Sequence, residues 1–206
     1  MYRRVIQHRY RRKRFGILLL VLTAMIALTW FLGKMTYEYF SRKNAYDPII
    51  REAAGKYCID SCLLKAVIWK ESRFKQNARG SKGEVGLMQI RPSAAVKDWS
   101  DVNNIDIPSE GTLFYPRINI EIGAWYLSCA MRRWEKYEHC EELALSQYNA
   151  GARGMSSWVP SDYNGEVLEN IKINSTKNYV ADIMGKYHEY AQKLSLIHIS
   201  EPTRPY

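Results

Sequence analysis

The chain has 206 residues, 47% of them hydrophobic and 25% charged, which is enough for one ordinary domain with a packed core and an additional segment. Its net charge of +9 is unevenly distributed, because seven of the nine net charges belong to a basic cluster within residues 1–14. The rest of the chain is close to neutral. The charge pattern therefore excludes a folded domain with the basic surface that nucleic acid requires, and we expect no nucleic-acid partner.

Residues 15–33 form an apolar stretch of 19 residues without a charge. About 20 apolar residues cross a bilayer core as a helix, so this stretch predicts a single transmembrane anchor. Seven basic residues precede the stretch, whereas Lys34, Arg42 and Lys43 follow it. By the positive-inside rule we expect residues 1–14 in the cytoplasm and the remaining chain outside the cytoplasmic membrane, on the periplasmic or wall side.

A cleaved signal peptide is the alternative interpretation of the same stretch. Such a peptide has a shorter apolar region, of about 7–15 residues, and ends in small residues at the cleavage site. Here the stretch ends in Phe31, Leu32 and Gly33 before Lys34, with no such site. An uncleaved anchor is the favoured interpretation.

After the anchor, residues 34–46 are polar and aromatic-rich and are predicted to be a helical stem. Beyond it, the spacing of apolar residues predicts a mainly α domain over residues 47–193, with Pro48, Asp60 and Ser61 in positions suited to helix starts. Residues 77–86 and 97–116 are predicted to be irregular because glycine and proline interrupt them. The predicted helices cover residues 49–57, 62–75, 119–136, 141–150 and 177–192.

Four cysteines lie in the part expected to be exported, at positions 58, 62, 129 and 140. Two disulfides and four free thiols both remain open. The Cys58–Cys62 spacing is a weak metal signal because histidines that could complete a site are far away in sequence. We expect no metal site.

Residues 194–206 are expected to be foreign to the natural protein. They read like the in-frame translation of a sequencing-library adapter. This segment, with His198, is therefore excluded from the functional argument.

One carboxylate stands where the core pattern of its helix calls for an apolar residue. Leu64, Val67, Ile68 and Glu71 lie three or four positions apart, so they share one helix face. Burial raises the pKa of a carboxyl group, because the charged form loses its hydration. Glu71 is therefore predicted to hold a proton near neutral pH, as a general acid for glycoside cleavage must.

Four motifs follow one another from Glu71 onward. They are Glu71-Ser72-x-Phe74, Gly86-Leu87-Met88-Gln89-Ile90, Asn119-Ile120 with Gly123 and Tyr126-Leu127, and Gln147-Tyr148-Asn149-Ala150-Gly151. Taken together and in this order, they resemble the soluble lytic transglycosylase (SLT) family. The resemblance spans about residues 47–190 and implies a goose-lysozyme-like helical domain that cleaves peptidoglycan.

Carried over position by position, the resemblance implies that Glu71 is the catalytic acid and that Tyr148 hydrogen-bonds and orients it. Met88 is expected to pack at the cleft and Tyr179 to line it. The residues implied to bind substrate are Ser72, Ser81, Gly86, Met88, Gln89, Asn149 and Tyr179.

The chain departs from the family pattern at two places. The family often has a serine nine residues after the acid, where this chain has Gly80 followed by Ser81. The segment before the late tyrosine often reads Glu-Thr-Arg, where this chain has Ser175, Thr176 and Lys177. Both changes concern the cleft and leave Glu71 in place.

The resemblance implies a lytic reaction without cofactor, in which the 6-hydroxyl of N-acetylmuramic acid replaces water and a 1,6-anhydro end forms. The alternatives are a hydrolytic muramidase, with Glu84, Asp98 or Asp101 as the base for water, and a non-catalytic peptidoglycan-binding scaffold. The expected partners are peptidoglycan glycan strands, the membrane and an envelope or secretion assembly.

Overall fold

The computed structural model describes the backbone of residues 2–200 and the side chains of residues 14–195. The chain divides between Asn44 and Ala45 into two compact units. The predicted cytoplasmic side chains before Arg14 and the end of the predicted foreign tail, residues 201–206, lie outside these described parts.

The first unit is one helix, α1 (Tyr2–Ala45), which includes both the predicted anchor and the predicted stem. The apolar side chains of its anchor region are exposed, among them Leu20, Leu22 and Phe31. By length and composition α1 could cross a membrane, and its most apolar 18-residue window has a mean hydropathy of 2.5.

The second unit contains six α-helices among its described residues. They are α2 (Asp47–Tyr57), α3 (Ser61–Ser72), α4 (Lys97–Asn103), α5 (Pro116–Trp134), α6 (Cys140–Met155) and α7 (Asn174–Ser200). Five of them make a closed ring of pairwise contacts, in which α2 packs on α3, α3 on α7, α7 on α6, α6 on α5 and α5 on α2. In residues 45–200, β structure is limited to isolated bridges in the loop after α3.

The core lies inside this ring and includes residues of the loop between α3 and α4. Its largest fully buried side chains are Phe74, Ile50, Leu63, Leu64, Ile68, Leu87, Met88, Ile90, Leu113, Ile120, Ile122 and Leu127. The loop after α3 is therefore held by apolar burial as firmly as the helices.

Helix α3 begins as predicted but ends earlier. The Asp60 side chain accepts a hydrogen bond of 2.7 Å from the Cys62 N–H, which caps the helix. Predicted to reach residue 75, the helix ends at Ser72 because Arg73 and Phe74 have left-handed backbone angles, with φ of 52° and 61°. This turn buries the Phe74 side chain completely, and tertiary packing thus overrides the helical pattern.

The segment 97–116, predicted to be irregular, contains α4 and a short 3-10 turn, Thr112–Phe114. The prediction was wrong for its first third, because the prolines and glycine that interrupt the segment all come after α4 ends. Trp99, buried on α4, gives the helix its tertiary anchor. At Gly151, the predicted end of α6, the backbone leaves helical geometry (φ 77°, ψ 156°) and then resumes it to Met155.

All four cysteines carry free thiols in the structure. Cys62 is buried, Cys58 is exposed, and Cys129 and Cys140 are half-buried. The sequence left disulfides and free thiols open, and the structure has free thiols. The fold is therefore held by helix packing and not by disulfides.

Candidate active site

Glu71 lies in the last turn of α3, and its side chain opens into a cleft of about 720 Å³. The apolar residues that share its helix face, Leu64, Val67 and Ile68, are fully buried as predicted. The cleft is also lined by the loop after α3, by the second half of α6 and by the start of α7. The acid therefore stands where the apolar core meets the open cleft.

The environment of Glu71 favours its protonated form. The pKa of its carboxyl group is raised from 4.5 to about 7, chiefly by burial and also by the negative charge of Glu84. A hydrogen bond from Tyr179 and the positive charge of Lys70 act in the opposite direction. Near neutral pH, Glu71 can therefore both donate a proton and take it back.

The hydroxyl that contacts Glu71 belongs to Tyr179. It donates a hydrogen bond of 2.6 Å to Glu71 Oε1, and the Tyr179 ring on α7 is 5% exposed. The predicted hydrogen bond from Tyr148 to the acid was wrong, since the Tyr148 hydroxyl donates to the Met88 carbonyl at 2.8 Å. Tyr148 still lines the cleft, but its polar contact holds the loop and not the acid.

Asn119, at the start of α5, holds the segment 85–88 in place, although sequence reasoning gave it no role in the site. Its Oδ1 accepts a hydrogen bond of 2.8 Å from the Met88 N–H, and its Nδ2 donates to the carbonyls of Val85 and Leu113 at 3.0 and 2.8 Å. Asn119 is 1% exposed, so these bonds satisfy backbone groups that water cannot reach. The signal that could have revealed it is an amide within the apolar face of a helix.

Gly86 makes this arrangement feasible. Its φ is 78°, and a Cβ atom at this position would overlap the Asn119 side chain. Its N–H donates to the Ala78 carbonyl at 2.9 Å, and its own carbonyl accepts from Gln89 Nε2 at 2.8 Å. Gly86 is buried, so the structure gives it a role in loop geometry instead of the predicted contact with substrate.

The predicted substrate-binding residues separate into two groups. Gln89 and Asn149 line the cleft, and Met88 is fully buried beside it. Ser72 is buried, and its hydroxyl donates a hydrogen bond of 3.2 Å to the Ile68 carbonyl. Its side chain does not line the cleft. Ser81 is exposed and does not line the cleft. The predicted roles of Ser72 and Ser81 are therefore not supported by their positions.

The segment that departs from the family pattern before Tyr179 also lines the cleft. Ser175 and Thr176 face it, and the Thr176 hydroxyl donates a hydrogen bond of 2.8 Å to Asn149 Oδ1. Lys177 pairs with Glu169 at 2.9 Å instead. The hydrogen bond between Thr176 and Asn149 joins α7 to α6 at the edge of the cleft.

Of the three acids considered as bases for water, Glu84 alone lines the cleft. Asp101 pairs with Lys97 on the exposed side of α4, and Asp98 is exposed on the same helix. Although burial opposes it, hydrogen bonds from the backbone N–H groups of Glu84 and Lys82 and from Arg91 hold the pKa of Glu84 below its ordinary value. Near neutral pH the cleft thus contains an ionised carboxylate, Glu84, and a carboxyl group, Glu71, that exchanges its proton in this pH range.

Replacing Tyr179 with phenylalanine is expected to move the alkaline limb of the pH–activity profile to higher pH. The Tyr179 hydrogen bond favours ionised Glu71, so its loss raises the pKa of the acid and keeps it protonated at higher pH. We expect activity at the optimum to fall by roughly 10- to 100-fold, since the acid also loses its orientation. The measurement is the pH dependence of glycan cleavage.

Tyr148→Phe is the matched control for this substitution. It removes a hydroxyl from the same cleft, but this hydroxyl contacts Met88 and not Glu71. The alkaline limb should stay in place. A shift in Tyr148→Phe together with no shift in Tyr179→Phe would restore the role first expected for Tyr148.

A ring of helices with a carboxyl group in the wall of an open cleft is the architecture of a helical, lysozyme-like domain. Residues 48–171 match the model of the transglycosylase SLT domain family. This chain belongs to that family, which confirms the fold class and the family resemblance expected from the motifs.

Two relatives and two solved structures illustrate the extent of the similarity. The chain is 31% identical over 181 residues to membrane-bound lytic murein transglycosylase E of Buchnera aphidicola subsp. Acyrthosiphon pisum, covering 82% of each chain. It is 38% identical over 116 residues to membrane-bound lytic murein transglycosylase C of Histophilus somni, which covers 54% of this chain and 32% of that protein. The chain thus spans about a third of the length of the Histophilus protein.

Among solved structures, an inactive Glu-to-Gln mutant of lytic transglycosylase Slt from Pseudomonas aeruginosa superimposes with a TM-score of 0.64 at 28% identity, covering 74% of this chain and 25% of that one. The 70 kDa soluble lytic transglycosylase of Escherichia coli gives a TM-score of 0.59 at 22% identity, covering 72% of this chain and 25% of that one. The latter similarity concerns the fold alone.

Proposed function

We propose that this protein is a lytic transglycosylase that cleaves the glycan strands of peptidoglycan, with Glu71 as its only proton-transferring residue. The observation that carries the proposal is the half-buried Glu71 carboxyl group, whose pKa is raised to about 7 at the wall of an open cleft. The names of the Buchnera and Histophilus relatives and the inactive Glu-to-Gln mutant of the Pseudomonas relative support it.

In the first half of the reaction, protonated Glu71 donates its proton to the oxygen that joins N-acetylmuramic acid to N-acetylglucosamine. The bond between this oxygen and C1 of N-acetylmuramic acid breaks, and the N-acetylglucosamine chain leaves with a free hydroxyl. Positive charge develops at C1, where the neighbouring acetamido group assists. Tyr179 holds the acid in position during this step through its hydrogen bond of 2.6 Å.

In the second half, the 6-hydroxyl of the same N-acetylmuramic acid forms a bond to C1. Its proton passes to ionised Glu71, which returns to the protonated state. The product is a 1,6-anhydro end, and no water is consumed. Because the nucleophile belongs to the sugar itself, the proximity advantage of an intramolecular reaction replaces a positioned water molecule. One residue with a pKa near 7 suits both proton transfers.

A hydrolytic muramidase is the second candidate, and the position of Glu84 is the observation in its favour. Glu84 is ionised and lines the same cleft as Glu71, as a base for water would. However, Glu84 Oε1 accepts from Arg91 at 3.0 Å and Oε2 accepts from the Lys82 N–H at 2.9 Å. Both oxygens are engaged within the protein, which makes the lytic reaction the better supported of the two.

Mass spectrometry of the products distinguishes these candidates. The full-length chain in detergent is incubated with purified peptidoglycan, and the released fragments are weighed. We expect fragments one water lighter than hydrolysis products, which carry the anhydro end. Fragments of full mass with reducing ends would establish a muramidase. A folded protein that binds the wall without releasing fragments would indicate a non-catalytic scaffold.

We further propose that residues 15–33 anchor the protein in the cytoplasmic membrane, with the domain of residues 47–193 on the wall side. The apolar composition of residues 15–33 and the basic cluster before them support this orientation. Protease treatment of intact spheroplasts tests it, since the catalytic domain should be digested from outside. A tethered wall-cleaving enzyme suits local opening of the wall beside an envelope or secretion assembly.

A further inference from the structure

The turn that connects residues 80 and 84 brings a second carboxylate into the cleft. The Gly80 N–H donates to the Glu84 carbonyl at 2.8 Å and closes the turn. The Glu84 side chain then folds back over Gly80 and faces the cleft that Glu71 lines from the other side. Gly80 occupies the position, nine residues after Glu71, at which the family often has a serine.

Gly80 is required for this arrangement on steric grounds. A Cβ atom at position 80 would lie 2.9 Å from Gln89 Oε1 and 2.9 Å from Glu84 Cβ, and it would overlap the Glu84 carboxylate. Real Cβ atoms essentially never come so close to another heavy atom, so any larger residue must displace Glu84, Gln89 or both. The absence of a side chain at position 80 and the position of Glu84 in the cleft are therefore coupled.

Two contacts hold Glu84 in the cleft. Arg91 Nη2 donates to Glu84 Oε1 at 3.0 Å, and the Lys82 N–H donates to Oε2 at 2.9 Å. The Glu84 side chain is 20% exposed, whereas that of Arg91 is 47% exposed. The carboxylate is thus the more buried partner of the ion pair, and its field reaches the interior of the cleft with less screening by water.

We propose that Glu84, seated in the space that Gly80 leaves open and bound by Arg91, is a positioning residue that favours the proton-donating form of Glu71. A negative charge near a carboxyl group disfavours ionisation of that group, and Glu84 has this effect on Glu71. Glu84 itself transfers no proton in this proposal, which rests on the lytic function proposed above.

The charged and titratable groups around the two carboxyl groups come from every element that forms the cleft. Lys70 on α3 and Tyr179 on α7 act on Glu71 against the effect of Glu84. On α6, Tyr148 stays neutral near pH 7 because burial raises its pKa well above 10. On the loop, Arg91 pairs with Glu84 and its charge partly cancels that of Glu84, while Lys82 also lines the cleft. On α5, Tyr126 lines the cleft as well, and burial raises its pKa above the ordinary value.

The test compares three variants of the full-length chain in detergent by the pH dependence of fragment release from peptidoglycan. Glu84→Gln removes the negative charge and should move the alkaline limb to lower pH. Arg91→Gln removes the positive charge that partly cancels Glu84, while the Lys82 N–H still holds the carboxylate, and should move the limb to higher pH. A limb shift of half a pH unit changes the rate above the limb by about threefold.

Glu52→Gln is the matched control, because Glu52 also pairs with an arginine, Arg117, but on the exposed surface between α2 and α5. The alkaline limb of the Glu52→Gln profile should coincide with that of the unchanged protein. Gly80→Ala is a second test of the steric argument and should shift the limb in the same direction as Glu84→Gln, since the added Cβ displaces the carboxylate. Thermal unfolding of each variant reports whether it folds.

Opposite shifts for Glu84→Gln and Arg91→Gln would establish the proposal. Loss of activity with an unmoved limb, or shifts of both variants in one direction, would overturn it and leave Glu84 a structural residue of the loop. If Glu84→Gln does not fold, Gly80→Ala decides by the direction of its limb, because it displaces the Glu84 carboxylate and leaves Arg91 unchanged. The alkaline limb is measured from the rate of fragment release, whether the fragments carry anhydro or reducing ends. The mass of the fragments shows separately whether the lytic assignment fails.

Discussion

Replacing Glu71 with glutamine is expected to reduce the release of peptidoglycan fragments by at least about 10³-fold at every pH. Glutamine is nearly isosteric with protonated glutamate and can accept the Tyr179 hydrogen bond, but it has no proton to donate to the glycosidic oxygen. The measurement is the initial rate of fragment release by the full-length chain, with product masses determined in parallel.

Glu84→Gln serves as the matched control for the loss of one carboxylate from the same cleft. It should retain measurable turnover at acidic pH, where Glu71 is protonated without the help of Glu84. A Glu71→Gln protein that keeps a tenth or more of its activity would refute the assignment of the acid. In that case Glu84 would be the remaining carboxyl group in the cleft that could transfer a proton.

The same Glu71→Gln substitution is expected to stabilise the folded domain at alkaline pH. The folded-state pKa of Glu71, about 7, lies above its ordinary value of 4.5, so the folded state binds the proton more tightly than the unfolded state. Stability is therefore lost as the pH rises from about 4.5 to about 7, and stays reduced above that. At pH 8 the glutamine variant should be more stable by about 3 kcal/mol, and at pH 4 the two proteins should be alike.

Thermal unfolding at the two pH values measures this difference. For a chain of this size, 3 kcal/mol corresponds to roughly 6–12 °C in Tm. Glu52→Gln, on the exposed surface, should show no such pH-dependent gain, because an exposed ion pair contributes little. Equal Tm values for Glu71→Gln and the unchanged protein at pH 8 would mean that Glu71 ionises without a folding cost, which would contradict its use as an acid near neutral pH.

These two expectations have one physical origin. An ionised carboxylate at the wall of an apolar core costs free energy, and in the proposed reaction the protonated form is the one that acts on the glycosidic bond. The gain in stability and the loss of activity in one variant are therefore two measurements of the same buried charge.

Local patterns in the chain were sufficient to predict the helical domain and the position of Glu71 at the end of a buried helix face. Helix spacing predicted the ring helices, Asp60 was correctly predicted as a helix start, and the interrupted apolar stripe of α3 indicated Glu71. These features depend on residues within one or two turns of each other. Their physical causes, capping and burial of one helix face, can therefore be read from a short segment.

The errors concern places where distant segments meet. The prediction extended α3 to residue 75 because Phe74 continues its apolar stripe, whereas burial of Phe74 by the rest of the domain turns the chain at Arg73. Ser72 follows the acid directly in sequence, yet its hydroxyl is used within its own helix. Adjacent residues on an α-helix point about 100° apart around its axis, so adjacency to Glu71 does not place a side chain in the cleft.

The sequence by itself determined that the chain has an apolar segment suited to a membrane anchor, a helical domain after it and one carboxyl group misplaced in an apolar stripe. Only the tertiary structure decided which groups surround that carboxyl group. Tyr179 reaches Glu71 across 108 residues because α7 packs on α3, while Tyr148, the tyrosine favoured by its motif, reaches Met88. Glu84 faces the cleft because Gly80 has no side chain. The pKa of an acid depends on charges and hydrogen bonds within a few ångströms in space, and those neighbours are chosen by packing.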